Sequence, residues 1–203
     1  MPSLVAYRIS SWDTPFRVSP NRWARRYNRL SRGPVQYWSL NPLTPWAEII
    51  RAHALRTADD VNELRQRVWS ARLDLRAIHD IRFDNAATFG IEPYHLVSDD
   101  YGGCQELGER LLTDPAMPDA FTVPSAALPG TRNLILFGPR VAMPYDWTPL
   151  GPEDSPTAVV AEEALPLEDL LPLVRHFGHD HPEYEAWRKG NVFEFRQPSV
   201  LRR

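Results

Sequence analysis

The sequence has 203 residues, of which 43% are hydrophobic and 24% charged, a composition typical of one soluble globular domain spanning 1–203. A net charge of -3 argues against direct nucleic-acid binding, and the single cysteine excludes an intrachain disulfide. No apolar run approaches the roughly 18 residues of a membrane span, and the first residues do not resemble a signal peptide, so we expect a cytoplasmic protein without a membrane partner.

The first half of the chain predicts short strands followed by a helix. Alternating apolar residues and flanking turn residues predict strands over 4–10, 26–28 and 35–40. A helix is predicted to follow, with Thr44 as its N-cap and Pro45 as its first residue. Its buried face is predicted from apolar residues at helical spacing, namely Trp46, Ile49, Ile50 and Ala54.

The second half of the chain mixes further strands with two helices. The helices are predicted over 101–112 and, behind Pro166, over 167–177. The strands are predicted over 73–78, 121–123, 134–137, 158–161 and 192–195. The proline-rich segment 143–156 is predicted to form turns. Because no regular series of βαβ units is present, the predicted fold class is α+β, with a mixed or antiparallel β core and flanking helices.

Candidate functional residues come from their positions, because the sequence contains none of the common nucleotide-binding, metalloprotease or hydrolase motifs. Arg8, in the first strand, is either part of a surface ion pair or a ligand for an anion. Glu48, in the first turns of the helix, is either a solvated carboxylate that complements the helix N-terminus or one aimed into a cleft. Tyr37 either packs in the core or lines the same cleft.

Charge is distributed unevenly along the chain. The first 28 residues contain a single acidic residue, Asp13, and five arginines: Arg8, Arg17, Arg22, Arg25 and Arg26. This local excess suits a small anionic ligand better than a bulk polyanion.

Five segments, taken in order, resemble the motifs of RES-domain proteins. They are 6–9 (AYRI), 26–28 (RYN), 37–39 (YWS), 44–48 (TPWAE) and 99–137, where an amphipathic helix precedes a strand ending in PSA and an Asn-led apolar strand. The resemblance covers 5–137, whereas 138–203 carries little of the signature and either extends or completes the domain. Arg29 and Trp38 depart from the family pattern near the inferred cleft, where they could alter substrate fit or activity.

The resemblance implies an ADP-ribosyltransferase-like fold and an enzyme that degrades NAD⁺ by hydrolysis or phosphorolysis. It also implies the toxin of a bacterial toxin–antitoxin pair, whose Xre-type helix-turn-helix antitoxin blocks the site, and it allows a homodimer. NAD⁺ is then a substrate, inorganic phosphate is a candidate co-substrate, and neither a cofactor nor a metal is expected. The alternatives are a protein ADP-ribosyltransferase on the same fold and an inactive interaction module.

The resemblance also assigns site residues. The catalytic ones are Glu48, Arg8, Tyr37 and Ser125, and those that bind NAD⁺ are Arg8, Arg26, Asn28, Tyr37, Ser125 and Asn133. Cleavage of the bond between nicotinamide and ribose develops an oxocarbenium-like cation, as in glycoside hydrolysis. Nicotinamide is already a good leaving group and needs no general acid. Glu48 is therefore expected to bind the ribose hydroxyls and to stabilise the cation electrostatically.

The remaining assigned residues are expected to bind the dinucleotide. Arg8 and Arg26 would hold the pyrophosphate, because a planar guanidinium suits phosphate oxygens. Tyr37 would stack on the nicotinamide ring. Ser125 would donate a hydrogen bond to the ribose or a phosphate, and the two asparagines would support these contacts.

The other reactive side chains have simpler interpretations. His176, His179 and His181 lie in the segment HFGHDH, where nothing supplies a complete set of metal ligands, so a solvated loop is predicted. Cys104 lies on the apolar face of its predicted helix and is interpreted as a small buried hydrophobe rather than a nucleophile.

Overall fold

A seven-stranded sheet forms the centre of the protein. The computed structural model describes residues 3–11, 14–16, 24–29, 35–75, 77–114, 118–137 and 158–198. The strands are β1 (Ser3–Ile9), β2 (Val35–Ser39), β3 (Gln66–Asp74), β4 (Ile78–Asp80), β5 (Ala120–Pro124), β6 (Arg132–Phe137) and β7 (Ala158–Ala164). Their order is β4-β5-β6-β2-β1-β3-β7, and every neighbouring pair is antiparallel except β4–β5. The prediction of an α+β chain with a mixed, largely antiparallel sheet is confirmed.

Short helices flank this sheet in the described part of the chain. The α-helices are α1 (Thr44–Ala52), α2 (Ala58–Asn62), α3 (Gly102–Thr113) and α4 (Pro182–Arg188). The 3-10 helices are Ala86–Phe89, Pro93–Leu96 and Glu168–Leu173. None of these helices is long and apolar enough to cross a membrane.

Helix α1 is held by one apolar face. Trp46, Ala47 and Ile50 are buried in a cluster with residues of the turn after β5 and of the 3-10 helix Glu168–Leu173. Burial of a large apolar side chain such as Ile50 contributes roughly 1.5–3 kcal/mol. Because the apolar face turns towards this cluster, Glu48 lies on another side of the helix and reaches a cleft.

The start and end of α1 differ from the prediction. Leu43, not Thr44, is the N-cap, and it makes no side-chain capping bond. The Thr44 hydroxyl instead donates to the Thr131 hydroxyl at 2.9 Å, so it is used in a tertiary contact. Ala54 lies beyond the end of the helix with φ of 53° and is exposed, and it therefore does not belong to the buried face.

Three other predicted elements are wrong. Residues 26–28 form a turn closed by a bridge between Arg25 and Asn28, rather than a strand. The strand predicted over 73–78 is split, because β3 ends at Asp74 and β4 begins at Ile78. Residues 192–195 form no strand. The predicted turns over 143–156 lie outside the described residues.

The helix predicted over 167–177 is also wrong, and α4 was not predicted. A 3-10 helix ends at Leu173 because Pro172 lacks the amide needed to continue an α-helix. Helix α4 begins at Pro182, and the His181 side chain caps it by accepting from the Tyr184 amide. The predicted helix over 101–112 is confirmed as α3, and Cys104 on it is fully buried as predicted.

Candidate active site

A cleft of about 640 Å³ opens between β1, β2, α1 and the turn at 24–27. Sites for small molecules typically enclose roughly 300–1,000 Å³. Five of the predicted site residues line this cleft: Arg8, Arg26, Tyr37, Glu48 and Asn133. The other two, Asn28 and Ser125, are buried and do not line it.

Glu48 is held from one side by two hydrogen bonds. The Asn133 amide donates to Glu48 Oε1 at 2.9 Å, and the Ser125 hydroxyl donates to the same oxygen at 3.2 Å. Asn133 is fixed in turn, because its Oδ1 accepts from the Ser39 hydroxyl at 2.8 Å. Among the described residues, no donor reaches the second oxygen, Oε2. The carboxylate is therefore oriented by the protein with one oxygen available to a ligand.

Ser125 supports Glu48 from inside the protein. Its side chain is fully buried, and its Oγ accepts from the amides of Ala127 and Leu128 at 3.2 and 3.1 Å. Because both amides point at Oγ, the hydroxyl proton is directed to Glu48. The geometry therefore gives Ser125 a contact with Glu48 instead of the substrate contact expected from the sequence.

Positive charge also lines the cleft, where Arg8, Arg25 and Arg26 contribute to its surface. Arg8 Nη1 donates to the Pro15 carbonyl and to Gln36 Oε1, and the guanidinium lies 5.8 Å from the Trp38 ring centroid. Burial, together with the positive charge of Arg25, lowers the pKa of Arg8 to about 10. An anionic ligand would relieve both effects. Arg17 and Arg22 lie outside the described residues.

The environment of Arg26 is the one that most clearly suits an anionic ligand. Its guanidinium lies 4.6 Å from the centroid of the Tyr101 ring. Both terminal nitrogens, Nη1 and Nη2, are buried and have no hydrogen-bond partner among the described residues. Two buried guanidinium nitrogens without acceptors are costly, so this geometry suits a site that is completed by an anionic ligand. Tyr101 stands in the Asp-Tyr pair before α3, which could have marked it in the sequence.

The turn that carries Arg26 is pressed against α3. A Cβ added at Gly108 of α3 would lie 2.2 Å from the Tyr27 carbonyl oxygen. The absence of a side chain at Gly108 is therefore what lets the helix approach the turn so closely. This close contact determines where the turn that carries Arg26 lies relative to α3.

Tyr37 links the cleft to the same turn. Its hydroxyl donates to Asn28 Oδ1 at 2.8 Å and accepts from the Tyr27 amide at 2.9 Å. Burial raises the pKa of Tyr37, so the phenol stays protonated. Asn28 thus supports Tyr37 and the turn from a buried position that does not line the cleft.

The two departures from the family pattern have different surroundings. Trp38 is 1% exposed, and its indole nitrogen donates to Gln36 Oε1 at 3.1 Å, so this larger side chain is accommodated in the sheet. Arg29 is exposed and pairs with Glu109 of α3 at 3.2 Å. Arg29 does not line the cleft.

An ion-pair network that joins two buried arginines to the partly exposed Asp99 was not predicted. Asp99 Oδ1 accepts from Arg51 and from Arg175, each at 2.6 Å, and its Oδ2 accepts from the Gly178 amide at 2.7 Å. The Arg51 and Arg175 side chains are only 3% and 6% exposed. Asp99 therefore connects α1 to the segment before α4. Its residues lie far apart in the sequence, so no local pattern indicates the network.

The histidines of HFGHDH do not share one environment. His179 is exposed, as a solvated loop requires, but His181 is 3% exposed and its Nε2 lies 3.0 Å from the Ser125 carbonyl oxygen. The interpretation as a solvated loop is therefore wrong for His181. Within the described ranges, no group of three His, Cys, Asp or Glu side chains is placed to hold a metal ion.

The fold has a counterpart among solved structures. A chain of the Mycobacterium tuberculosis MbcT–MbcA toxin–antitoxin complex is similar to this one with a TM-score of 0.61 and 21% sequence identity. The similarity covers 84% of this chain and 90% of that chain. The protein thus has a fold seen in a toxin–antitoxin complex.

Sequence comparisons give the family. The family model of the RES domain matches residues 5–154. A M. tuberculosis H37Rv protein named "Probable NAD(+) phosphorylase Rv3189" is 32% identical over 164 residues, covering 81% of this chain and 72% of that protein. The chain therefore belongs to the RES-domain family, as its five motifs predicted.

Proposed function

We propose that this protein degrades NAD⁺ by cleaving the bond between nicotinamide and ribose, and that it acts as a toxin. The observation that carries the proposal is one cleft that contains an oriented carboxylate, Glu48, and Arg26, whose two buried terminal nitrogens have no hydrogen-bond partner in the described part of the chain. The relative named as an NAD(+) phosphorylase and the similar fold in a toxin–antitoxin complex support it.

Glu48 would stabilise the ribosyl cation. Two donors hold its Oε1, so Oε2 can bind a ribose hydroxyl and the carboxylate charge can face the developing positive charge. Because these bonds exist before substrate arrives, the carboxylate needs little reorganisation during the reaction. Ser125 and Asn133 act in this scheme by orienting Glu48.

The arginines would hold the pyrophosphate, and Tyr37 would contact the nicotinamide ring. Arg26 offers two buried nitrogens that can donate to phosphate oxygens in parallel. Arg8 adds charge to the same cleft. This positive charge would also attract inorganic phosphate, and the relative named as an NAD(+) phosphorylase favours phosphorolysis over hydrolysis.

The finer assignments belong to the same proposal. The sheet would be an ADP-ribosyltransferase-like core, and residues 158–198 would complete a single domain, since β7 pairs with β3 and Leu170 packs in the cluster of α1. An Xre-type helix-turn-helix antitoxin would cover the cleft in the cytoplasm. Self-association into a homodimer is a further expectation from the family resemblance.

The test is an incubation of the purified protein with NAD⁺, with and without inorganic phosphate, in which nicotinamide release and the other product are both measured. Phosphorolysis predicts release that depends on phosphate and forms a phosphorylated ADP-ribose. Free ADP-ribose would indicate hydrolysis. Transfer of labelled ADP-ribose to protein would replace the proposal by a protein ADP-ribosyltransferase, and no cleavage by well-folded protein would refute it.

A further inference from the structure

Three hydrogen bonds tie residues 175–183 to the turn that follows β5. They join Arg175 N to Ala127 O (2.8 Å), His181 Nε2 to Ser125 O (3.0 Å), and Gly130 N to Glu183 Oε2 (2.7 Å). The segment 175–183 lies outside the residues 5–154 that match the RES-domain family model. The turn that carries Ser125 is therefore held in place by a part of the chain that the family signature does not include.

The hydrogen bonds around His181 indicate which ring nitrogen carries its proton. Its Nδ1 accepts from the Tyr184 amide at 3.3 Å, where the ring caps α4. Since Nδ1 is the acceptor, the neutral ring carries its proton on Nε2, which donates to the Ser125 carbonyl. The ring is 3% exposed and packs edge-on against Phe83 with centroids 6.3 Å apart. Burial lowers its pKa to about 4, consistent with a neutral ring.

Ser125 connects His181 to Glu48 in the cleft. Its carbonyl is held by His181, and its hydroxyl donates to Glu48 Oε1 at 3.2 Å. Carbonyl and hydroxyl belong to one residue, so a shift of the carbonyl changes the direction of the hydroxyl. Displacement of a reacting group by about 1 Å can slow a reaction on the order of 10²-fold, so a small shift would be measurable.

We propose that His181 is a positioning residue for Glu48: its Nε2–H holds the Ser125 carbonyl and so keeps the Ser125 side chain where the amides of Ala127 and Leu128 direct its hydroxyl to the carboxylate. This assignment rests on the proposed cleavage of NAD⁺. His181 lies between the 3-10 helix Glu168–Leu173 and α4 and does not line the cleft. The proposal therefore gives a residue outside the cleft an effect on the turnover rate.

Two substitutions separate positioning from capping. His181→Gln places an amide N–H near the position of Nε2 and can still donate to Ser125. His181→Asn keeps a good N-cap acceptor for α4 but cannot reach the Ser125 carbonyl. The folded fraction of each variant is measured by circular dichroism at the assay temperature, and kcat is expressed per folded molecule. H181N is then expected to have a kcat about tenfold lower than that of H181Q, while the KM values for NAD⁺ agree within about twofold. A role limited to capping predicts that H181N is at least as active as H181Q, which would overturn the assignment.

A double-mutant cycle with Ser125→Ala tests the route through the hydroxyl. If His181 acts through Ser125, adding H181N to S125A lowers kcat by less than about twofold, whereas independent roles would multiply the two losses. Multiplied losses would overturn the proposal. If S125A has no measurable turnover, the H181N to H181Q ratio decides alone. A wild-type protein that releases no nicotinamide would refute the proposed function and this assignment together, whereas normal turnover by H181N would refute only the assignment.

Discussion

Replacement of Gly108 by alanine tests how the Arg26 turn is positioned. The new Cβ would lie 2.2 Å from the Tyr27 carbonyl oxygen, whereas ordinary contact begins near 3.4 Å, so the turn or α3 must move by about 1.2 Å. Overpacking of this kind costs about 1–3 kcal/mol, and a backbone contact belongs at the upper end. Alanine recovers about 1 kcal/mol of helix propensity. The net loss in the free energy of unfolding is therefore about 2 kcal/mol.

The functional effect should exceed that of a general loss of stability. Arg26 adjoins Tyr27, so a shift of about 1 Å would weaken the contacts with the pyrophosphate that we propose for Arg26 and raise KM for NAD⁺ about tenfold. The melting temperature should fall by about 4–8 °C. Gly102→Ala is the matched control, because its Cβ would meet Asp100 at an ordinary 3.5 Å in the same helix. A G108A protein with wild-type stability and KM would refute the argued contact.

Three further predictions concern charge. Asp99→Asn should lower the free energy of unfolding by about 2 kcal/mol, since two buried guanidinium groups lose the charge of a carboxylate that is itself partly screened by solvent, whereas loss of the exposed pair by Arg188→Gln should have little effect. Equal melting temperatures for the two variants would contradict this. Because the pKa of His181 is lowered from 6.5 to about 4, the stability contributed by its neutral ring is fully present above pH 6.5 and falls by about 3 kcal/mol towards pH 4. In urea titrations over this pH range H181Q should lose less stability than wild type, and an equal loss would contradict the lowered pKa of His181. Arg8→Ala should raise KM for NAD⁺ strongly, and an unchanged KM would remove Arg8 from the phosphate site.

Local sequence patterns predicted the elements that depend on local physics. The apolar spacing of α3 and the alternation of β1 and β2 gave those elements to within a few residues. Motif order gave a set of site residues, and Glu48 and Asn133 from this set meet in a hydrogen bond although they lie on α1 and β6. That pairing follows because β2, which precedes α1, lies beside β6 in the sheet.

The rest depends on contacts between residues that are distant in the sequence. The burial of His181 follows from the turn after β5, and the pairing of Asp99 with Arg51 and Arg175 follows from the packing of α1. Neither leaves a periodic signal. The direction of the Ser125 hydroxyl is likewise set by two backbone amides in its own turn. Sequence motifs therefore named the residue, but only the structure shows that its contact is Glu48.

Glu48→Gln tests the central claim most directly. Glutamine retains an oxygen that can accept from Ser125 and Asn133, so the fold and the affinity for NAD⁺ should change little while the negative charge is removed. We expect nicotinamide release with phosphate present to fall on the order of 10²-fold or more, with the Kd for NAD⁺ within a few-fold of wild type. Near-normal nicotinamide release by a folded E48Q protein would contradict the account.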